Sequence, residues 1–253
     1  MAKVSVILPV YNGAEYVEEC LRSIRSQTLR DIEVIVVNDG STDSTSQILC
    51  HHNRWARIVT HPSNLGASRS ANDGIRVATG EYVSFIAHDD LWMTHKLESE
   101  VGFLEKWKAD VAYSDFVQRE HDHAERIVRL PEFDAGFMKS KECFINISSA
   151  IISRKALNYL MRTTGYWFDE SLTSAMDWDL WIRLSKFCKF VHVPEPLSVY
   201  RRHKGQTSRK LSHRAQEIIV YTRYNGVSLR YTINLLLNEF IHRLNNLVGV
   251  CGY

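Results

Sequence analysis

Four acidic positions and one histidine have types and spacing that could do chemistry. Asp89 and Asp90 are adjacent and follow the apolar run Tyr82–Ile86. Two neighbouring carboxylates at a strand end repel one another unless a cation is shared between them. Oxygen ligands of this kind suit Mg²⁺ or Mn²⁺, with the remaining oxygens coming from a diphosphate. The plainer alternative is an acidic pair at a helix start, stabilised by the macrodipole. Asp39 follows a second apolar run and precedes Gly40-Ser41. It either caps the next helix or accepts the ring N–H of a pyrimidine base. Asp177 opens Met176-Asp177-Trp178-Asp179-Leu180-Trp181, where a carboxylate could take a proton from an attacking alcohol. Asp179 lies on another side of the same helix and does not pair with it. His203, in Tyr200-Arg201-Arg202-His203, could ligate a metal or touch a phosphate. Among the remaining histidines, His51, His52, His61, His121 and His123 show no ligand pattern and are expected on the surface or in loops.

The elements that must position these groups are legible in outline. Val4–Val10 and Ile32–Val37 are continuous β-rich apolar runs, as expected of strands buried on both faces. Arg57–Thr60, Tyr82–Ile86 and Val111–Phe116 read as further strands. Between them lie helical patterns: Tyr16, Val17, Cys20, Leu21 and Ile24 on one face, then Ile48 with Leu49, then Gly66–Ala78, then Thr94–Trp107. Gly80 reads as the terminator of the third. Alternating strands and helices predict an α/β fold with a parallel sheet, and ligands at the carboxyl ends of its strands. Asn12, Asp39 and Asp89 all sit just past strand ends, so three polar turns should converge on one cleft. The second half reads as strands at Arg126–Leu130, Ala150–Ser153, Phe190–Val193 and Leu197–Arg201, with a helix over Asp177–Phe187. From Ser212 to Val248 the pattern is helical, broken near Asn225-Gly226.

Composition narrows the class. Net charge is +2 over 253 residues, but it is uneven. From Arg201 onward nine basic residues face two acidic ones, while the preceding part carries 22 against 27. A basic tail suits an anionic partner. The five cysteines have no C-x-x-C spacing and read as free thiols in a reducing compartment. No stretch approaches the ~18 apolar residues that span a bilayer, and the apolar start reads as a strand rather than a signal peptide. There is no G-x-G-x-x-G, no P-loop, no G-x-S-x-G and no H-E-x-x-H. The basic residues are not interleaved with exposed aromatics, so no nucleic-acid partner is expected.

Taken together these segments resemble the family 2 glycosyltransferases with the GT-A fold. Val4-Ser5-Val6-Ile7-Leu8-Pro9-Val10-Tyr11-Asn12 is similar to the family's first strand and nucleotide-contacting turn. Val36-Val37-Asn38-Asp39-Gly40-Ser41 is similar to its base-binding signature. Asn64-Leu65-Gly66 with Asn72-Asp73-Gly74 resembles its N-x-G…R-N-x-G segment, and Phe85 through Trp92 its D-x-D metal segment. Asp177-Trp178-Asp179-Leu180-Trp181 resembles its base segment, and Tyr200-Arg201-Arg202-His203 its closing strand. The resemblance covers residues 3–208. It implies a Rossmann-like, mostly parallel central sheet flanked by helices, followed by a C-terminal helical tail. Residues 1–208 would form the catalytic domain, with a nucleotide-sugar half to about 115 and an acceptor half from 116 to 208. Residues 209–253 would form a basic amphipathic tail.

The resemblance further implies inverting transfer from a UDP- or dTDP-sugar to a glycan or lipid-linked acceptor hydroxyl, in glycan or polysaccharide synthesis. Asp177 would be the general base. Pro9, Tyr11, Asn12, Asp39, Asn72, His88 and Asp89 would contact the nucleotide. Asp89, Asp90 and His203 would bind Mn²⁺ or Mg²⁺. Residues near 137–149 and 167–176 would shape the acceptor site. The chain departs from the pattern at Ala87, where the leading aspartate is missing, at Ala71 in place of an arginine, and at Met176 in place of a glutamate. Ala87 and Met176 keep open a catalytically silent, nucleotide- or glycan-binding homologue. A sugar-nucleotide pyrophosphorylase is disfavoured, because the Tyr11–Glu15 loop has one glycine and no base. The tail's apolar stripe, Leu229, Ile233, Leu236, Leu237, Phe240, Ile241, Leu244, Leu247 and Val248, predicts either packing in the body or a homodimer, or an interfacial helix on an anionic membrane. A cytoplasmic protein, peripheral to the inner face of the plasma membrane in the latter case, is expected.

Overall fold

A computed structural model describes residues 2–121, 124–203, 205–206, 211–229, 231 and 233. In the first half, strands β1 (Val4–Val10), β2 (Ile32–Asn38), β3 (Ala56–Thr60) and β4 (Tyr82–Phe85) alternate with helices α1 (Val17–Arg25), α2 (Thr45–Cys50) and α3 (Ala67–Val77). A two-residue strand β5 (Leu91–Trp92) precedes helix α4 (Lys96–Trp107) and strand β6 (Val111–Arg119). Then come β7 (Glu125–Val128), α5 (Ala135–Ser140), a 3-10 turn at Ile147–Ser149, β8 (Ala150–Ser153), α6 (Arg154–Thr164), α7 (Met176–Leu184), β9 (Phe190–Arg201) and α8 (Leu211–Asn225).

The sheet runs β3-β2-β1-β4-β8-β6-β9-β5, with β7 pairing the far end of β6. Pairing is parallel from β3 to β4 and again between β6 and β9. Strand β1 shows why a continuous apolar run was needed. Successive side chains on a strand face opposite sides. Val4, Val6, Leu8 and Val10 share a buried cluster with residues of α1 and α4, while Ile7 belongs to the cluster on the other face and packs against Gly74 of α3. Both faces are therefore covered, and the strand ends project their turns at one edge.

Three expectations are corrected. The fifth strand, β6, is not the parallel neighbour of β4. The short β8 lies between them, antiparallel to both, with Ile152 opposite Val83 on one side and Val111 on the other. The two strands expected over Phe190–Arg201 are a single strand. Its register slips where Pro196 pairs with Asp115, because proline cannot donate to the ladder and is accommodated at an irregularity. Gly80 does not terminate α3 in a left-handed conformation: Ala78 ends that helix in an extended conformation, and Gly80 has no positive φ. Its role is close approach, since a Cβ there would lie 2.5 Å from the Ser5 amide nitrogen. Gly80→Ala is therefore expected to cost about 1–3 kcal/mol of stability by overpacking, read as a lowered denaturation midpoint.

Cys20, Cys50, Cys143 and Cys188 are free thiols. Among the described residues no helix is long and apolar enough to cross a membrane. His123 and the tail stripe from Leu236 onward lie outside the described residues; Leu229 and Ile233 are exposed. The clustered basic residues do not all face outward. Arg201 is buried: it donates to the Asp89 carbonyl oxygen and to Glu19, and lies over the Tyr16 ring.

Candidate active site

The turns after β1 and β2 are laced together. Asn12 has φ +48°, a left-handed conformation that asparagine tolerates. Its amide donates to the Ser41 hydroxyl at 3.0 Å, and its Oδ1 accepts from the Thr42 amide at 2.8 Å. The Gly13 amide donates to Thr45 Oγ1 at 2.9 Å. His88, in the turn after β4, packs so closely on this first turn that a Cβ at Gly13 would sit 2.6 Å from its Cδ2. The three turns thus meet, as their positions past strand ends implied. Tyr11 is exposed beside them.

Asp39 is only 3% exposed. Its Oδ1 accepts from the Leu65 amide at 2.8 Å and faces His61 Nδ1 at 2.7 Å, while Oδ2 accepts from the Gly66 amide at 2.8 Å. It therefore orders the 64–66 loop rather than capping α2, where no side-chain cap bond forms. Asn72 is a correction. It is buried, with Oδ1 accepting from the Phe168 amide and Nδ2 donating to the Phe168 carbonyl and Glu170. These bonds strap the 168–170 loop and do not leave it facing a nucleotide.

The adjacent acids diverge. Asp89 faces His203, with Nε2 3.0 Å from Oδ2. Burial works to raise its carboxyl, but the His203 contact and nearby His88 hold it below the usual carboxylate range. Asp90 turns inward at 1% exposure. Its Oδ2 accepts from the Ser148 hydroxyl at 2.6 Å and its Oδ1 from the Arg201 amide at 3.2 Å. Burial and the charge of Asp89 push its carboxyl well above the usual range. The two acids are not equivalent: both Asp90 oxygens accept protein hydrogen bonds, whereas Asp89 Oδ2 faces His203, and both acids line one cavity. Among the described residues no three His, Cys, Asp or Glu side chains form a ready cage. A divalent ion of the Mg²⁺ type needs none, since it is commonly held by one or two carboxylates plus substrate phosphates. The donor set fits such an ion.

Asp177 sits across the same cavity, about 470 Å³ in volume and lined also by Pro9, His88, Asp89, Cys143–Ile147, Thr173–Trp178, His213 and Glu217. Ala175, with φ +54°, begins α7 and turns Asp177 toward this space. Trp178 and Trp181 anchor the helix by donating to the Met138 and Ile145 carbonyls, at 2.6 and 3.0 Å. Burial raises the Asp177 carboxyl, opposed by the charge of His213. Asp179 points elsewhere, as expected. It is fully buried and bonded to Arg183, Arg223 and the Tyr224 hydroxyl. That clamp holds α8 against α7, and α8 then supplies His213 and Glu217 to the cavity wall. Sequence reading did not single out either residue. His61 and His52, expected on the surface or in loops, do lie outside helices and strands but are buried.

Comparison with known proteins bears on the family and the fold. Residues 5–160 match the model of the glycosyl transferase family 2. An uncharacterised glycosyltransferase of Rickettsia conorii is 30% identical over 95% of the chain and 38% of its own length. The chain thus spans little more than a third of that relative. An Escherichia coli protein, UDP-Glc:α-D-GlcNAc-diphosphoundecaprenol β-1,3-glucosyltransferase WfaP, is 28% identical, covering 99% of this chain and 96% of its own. Among solved structures, S. aureus TarS 1–349 in complex with UDP-GlcNAc superposes with a TM-score of 0.70 at 19% identity, over 94% of this chain and 71% of that one. The mannosyltransferase PcManGT of Pyrobaculum calidifontis, in complex with GDP-Man and Mn²⁺, gives 0.64 at 22%, over 95% and 70%. The fold is that of the GT-A glycosyltransferases. The chain belongs to glycosyl transferase family 2 and is a glycosyltransferase domain.

Proposed function

We propose that this protein transfers a sugar from a UDP- or dTDP-sugar to an acceptor hydroxyl by single displacement, with inversion at the anomeric carbon. The observation that carries the reading is one cavity lined by both Asp177 and Asp89, the latter in contact with His203. Asp177 takes the proton of the acceptor hydroxyl as its oxygen bonds to the anomeric carbon and the nucleoside diphosphate departs. Asp89 and His203 would hold a Mn²⁺ or Mg²⁺ ion, whose contribution is to neutralise charge on the leaving diphosphate. Asp90 positions this pair through its bonds to Ser148 and the Arg201 amide. The 1–115 half would bind the donor and the 116–208 half the acceptor, with α8 completing the acceptor wall. Two buried polar atoms there, Gln206 Oε1 and His213 Nδ1, have no hydrogen-bond partner. Buried unpaired groups of this kind are costly, and sugar hydroxyls would satisfy them. WfaP acts on a diphosphoundecaprenol-linked sugar by its name, which supports a lipid-linked acceptor in cell-envelope glycan synthesis.

The test is sugar release and transfer from UDP-glucose and UDP-GlcNAc, with Mn²⁺ and with EDTA, using a short-chain lipid diphosphate bearing GlcNAc as acceptor. Binding of donor with no transfer or hydrolysis under any condition would favour the silent homologue, for which Ala87 and Met176 speak. The base pocket gives a separate prediction. Asp39 Oδ2 accepts from the Gly66 amide and can also accept the N3–H of uracil or thymine, while cytosine presents an acceptor there. UDP should bind roughly 5- to 150-fold more tightly than CDP, the cost of a buried unpaired group being about 1–3 kcal/mol. Equal affinities in competition calorimetry would refute the assignment.

A further inference from the structure

His61 takes no part in the reaction above, yet it is 8% exposed and both its ring nitrogens are engaged. Nδ1 lies 2.7 Å from Asp39 Oδ1, and Nε2 lies 3.1 Å from Asp73 Oδ2. Strand register places it there. Asn38 on β2 is opposite Thr60 on parallel β3, and the His61 amide donates to the Asn38 carbonyl at 2.9 Å. The first residues past these two strand ends, Asp39 and His61, are therefore side by side. Asp73 sits on α3 between Arg69 and Arg76, one turn away on either side, and pairs with both. Burial works to raise its carboxyl, but the two arginines hold it below the usual range. The imidazole is thus fixed at its far end by a carboxylate that is itself held from two sides.

The three contacts on Asp39 are unequal. The Leu65 and Gly66 amides belong to a loop that Asp39 itself orders. His61 is the one side-chain partner in Asp39's described hydrogen bonds, and it comes from a sheet strand end rather than from that loop. It engages only Oδ1. Among the described residues Oδ2 has a single donor, which preserves acceptor capacity on one defined oxygen.

We propose that His61 is the positioning residue for base recognition. Its Nδ1–H fixes the plane of the Asp39 carboxylate so that Oδ2 meets the ring N–H of a uracil or thymine base, and Asp73, facing Nε2, holds the ring in that orientation. The principle is that of a ligand-orienting partner, whose loss loosens a site without removing its contact group. The proposal rests on Asp39 being the base-recognising carboxylate.

Two isosteric replacements separate positioning from mere packing. His61→Asn places an amide N–H near the Nδ1 position and keeps the bond to Asp39. His61→Gln places one near Nε2 and keeps the bond to Asp73. Calorimetry with UDP and CDP, in Mn²⁺, reads the selectivity, and thermal denaturation reads the fold. His61→Asn is expected to retain the wild-type preference for UDP. His61→Gln is expected to lose at least about fivefold in UDP affinity, with CDP affinity unchanged. If both variants retain the preference, or both lose it equally, His61 does not position Asp39. If the wild type binds UDP and CDP equally, the base-pocket reading fails and takes this proposal with it. Should either His61 variant fail to fold, Asp73 supplies the second measurement. Asp73→Asn keeps a hydrogen-bonding group for Nε2, its amide able to donate or accept as the ring requires, and should preserve UDP selectivity, whereas Asp73→Leu should reduce it. Equal selectivity in these two variants overturns the proposal.

Discussion

Replacing Asp177 with asparagine should lower glycosyl transfer by roughly 10²–10⁴-fold, the range associated with losing a general base, while UDP affinity stays near the wild-type value. Asparagine preserves the volume of the side chain and can still accept from the Trp178 amide, which Asp177 Oδ1 does at 3.0 Å. It cannot accept a proton. Geometry should therefore survive, since α7 is set by the left-handed Ala175 and by the buried Trp178 and Trp181 rather than by this carboxylate. The upward pressure of burial on the Asp177 carboxyl suits the role, because a base works best with a pKa closer to the operating pH. Single-turnover rates with a saturating UDP-sugar isolate the chemical step, and calorimetry with UDP reports the donor site. Turnover close to wild type would remove Asp177 from the mechanism. Asp179→Asn provides the contrast: it breaks the Arg183–Asp179–Arg223 clamp, so its signature should be lost stability and a displaced α8.

Much of this site was legible because its residues lie where strands end. The runs Val4–Val10 and Ile32–Val37 are apolar on both faces, which only a covered strand tolerates, and the polar turns after them had to share an edge of the sheet. Asp39 and Asp89 were singled out on that ground, and Asp177 as an acid at a helix start whose segment resembles the family's base segment. What stayed hidden depends on distance in sequence or on local backbone. Nothing in the residues flanking Asp89-Asp90 could tell that one of the two acids turns inward; the Ser148 hydroxyl and Arg201 amide that capture Asp90 come from 58 and 111 residues away. The contacts of His61, a loop residue as expected, stayed hidden because they are set by β2–β3 register, which no single segment encodes. His213 and Glu217 reach the cavity only through the Asp179 clamp, so a basic amphipathic tail looked separate from the catalytic body. Helix α6 is different, since its signals were present: Ser153 caps it by accepting from the Ala156 amide at 3.2 Å, and Gly165 closes it at φ +84°.

Asp89→Ala should abolish cation-dependent binding of UDP, and transfer with it. Asp89 is the less engaged of the two adjacent carboxylates that line the cavity, and His203 alone is a poor site for a hard divalent ion, which prefers oxygen ligands. The same substitution removes the partner of His203 Nε2 and leaves Asp90 as the adjacent acid. Asp90 cannot substitute without giving up Ser148 and the Arg201 amide, so compensation is not expected. Asp90→Asn should behave differently. An amide retains an acceptor for one of those two donors, so donor binding should weaken less than in Asp89→Ala, and part of the loss should be in stability. Calorimetry with UDP in Mn²⁺ and in EDTA decides between these outcomes. Wild-type protein that binds UDP equally under both conditions would overturn the cation assignment, whereas a Mn²⁺ response that survives Asp89→Ala would overturn the choice of ligand. Restored binding at high Mn²⁺ in Asp89→Asn, which keeps one oxygen, would show that coordination rather than the fold had been lost.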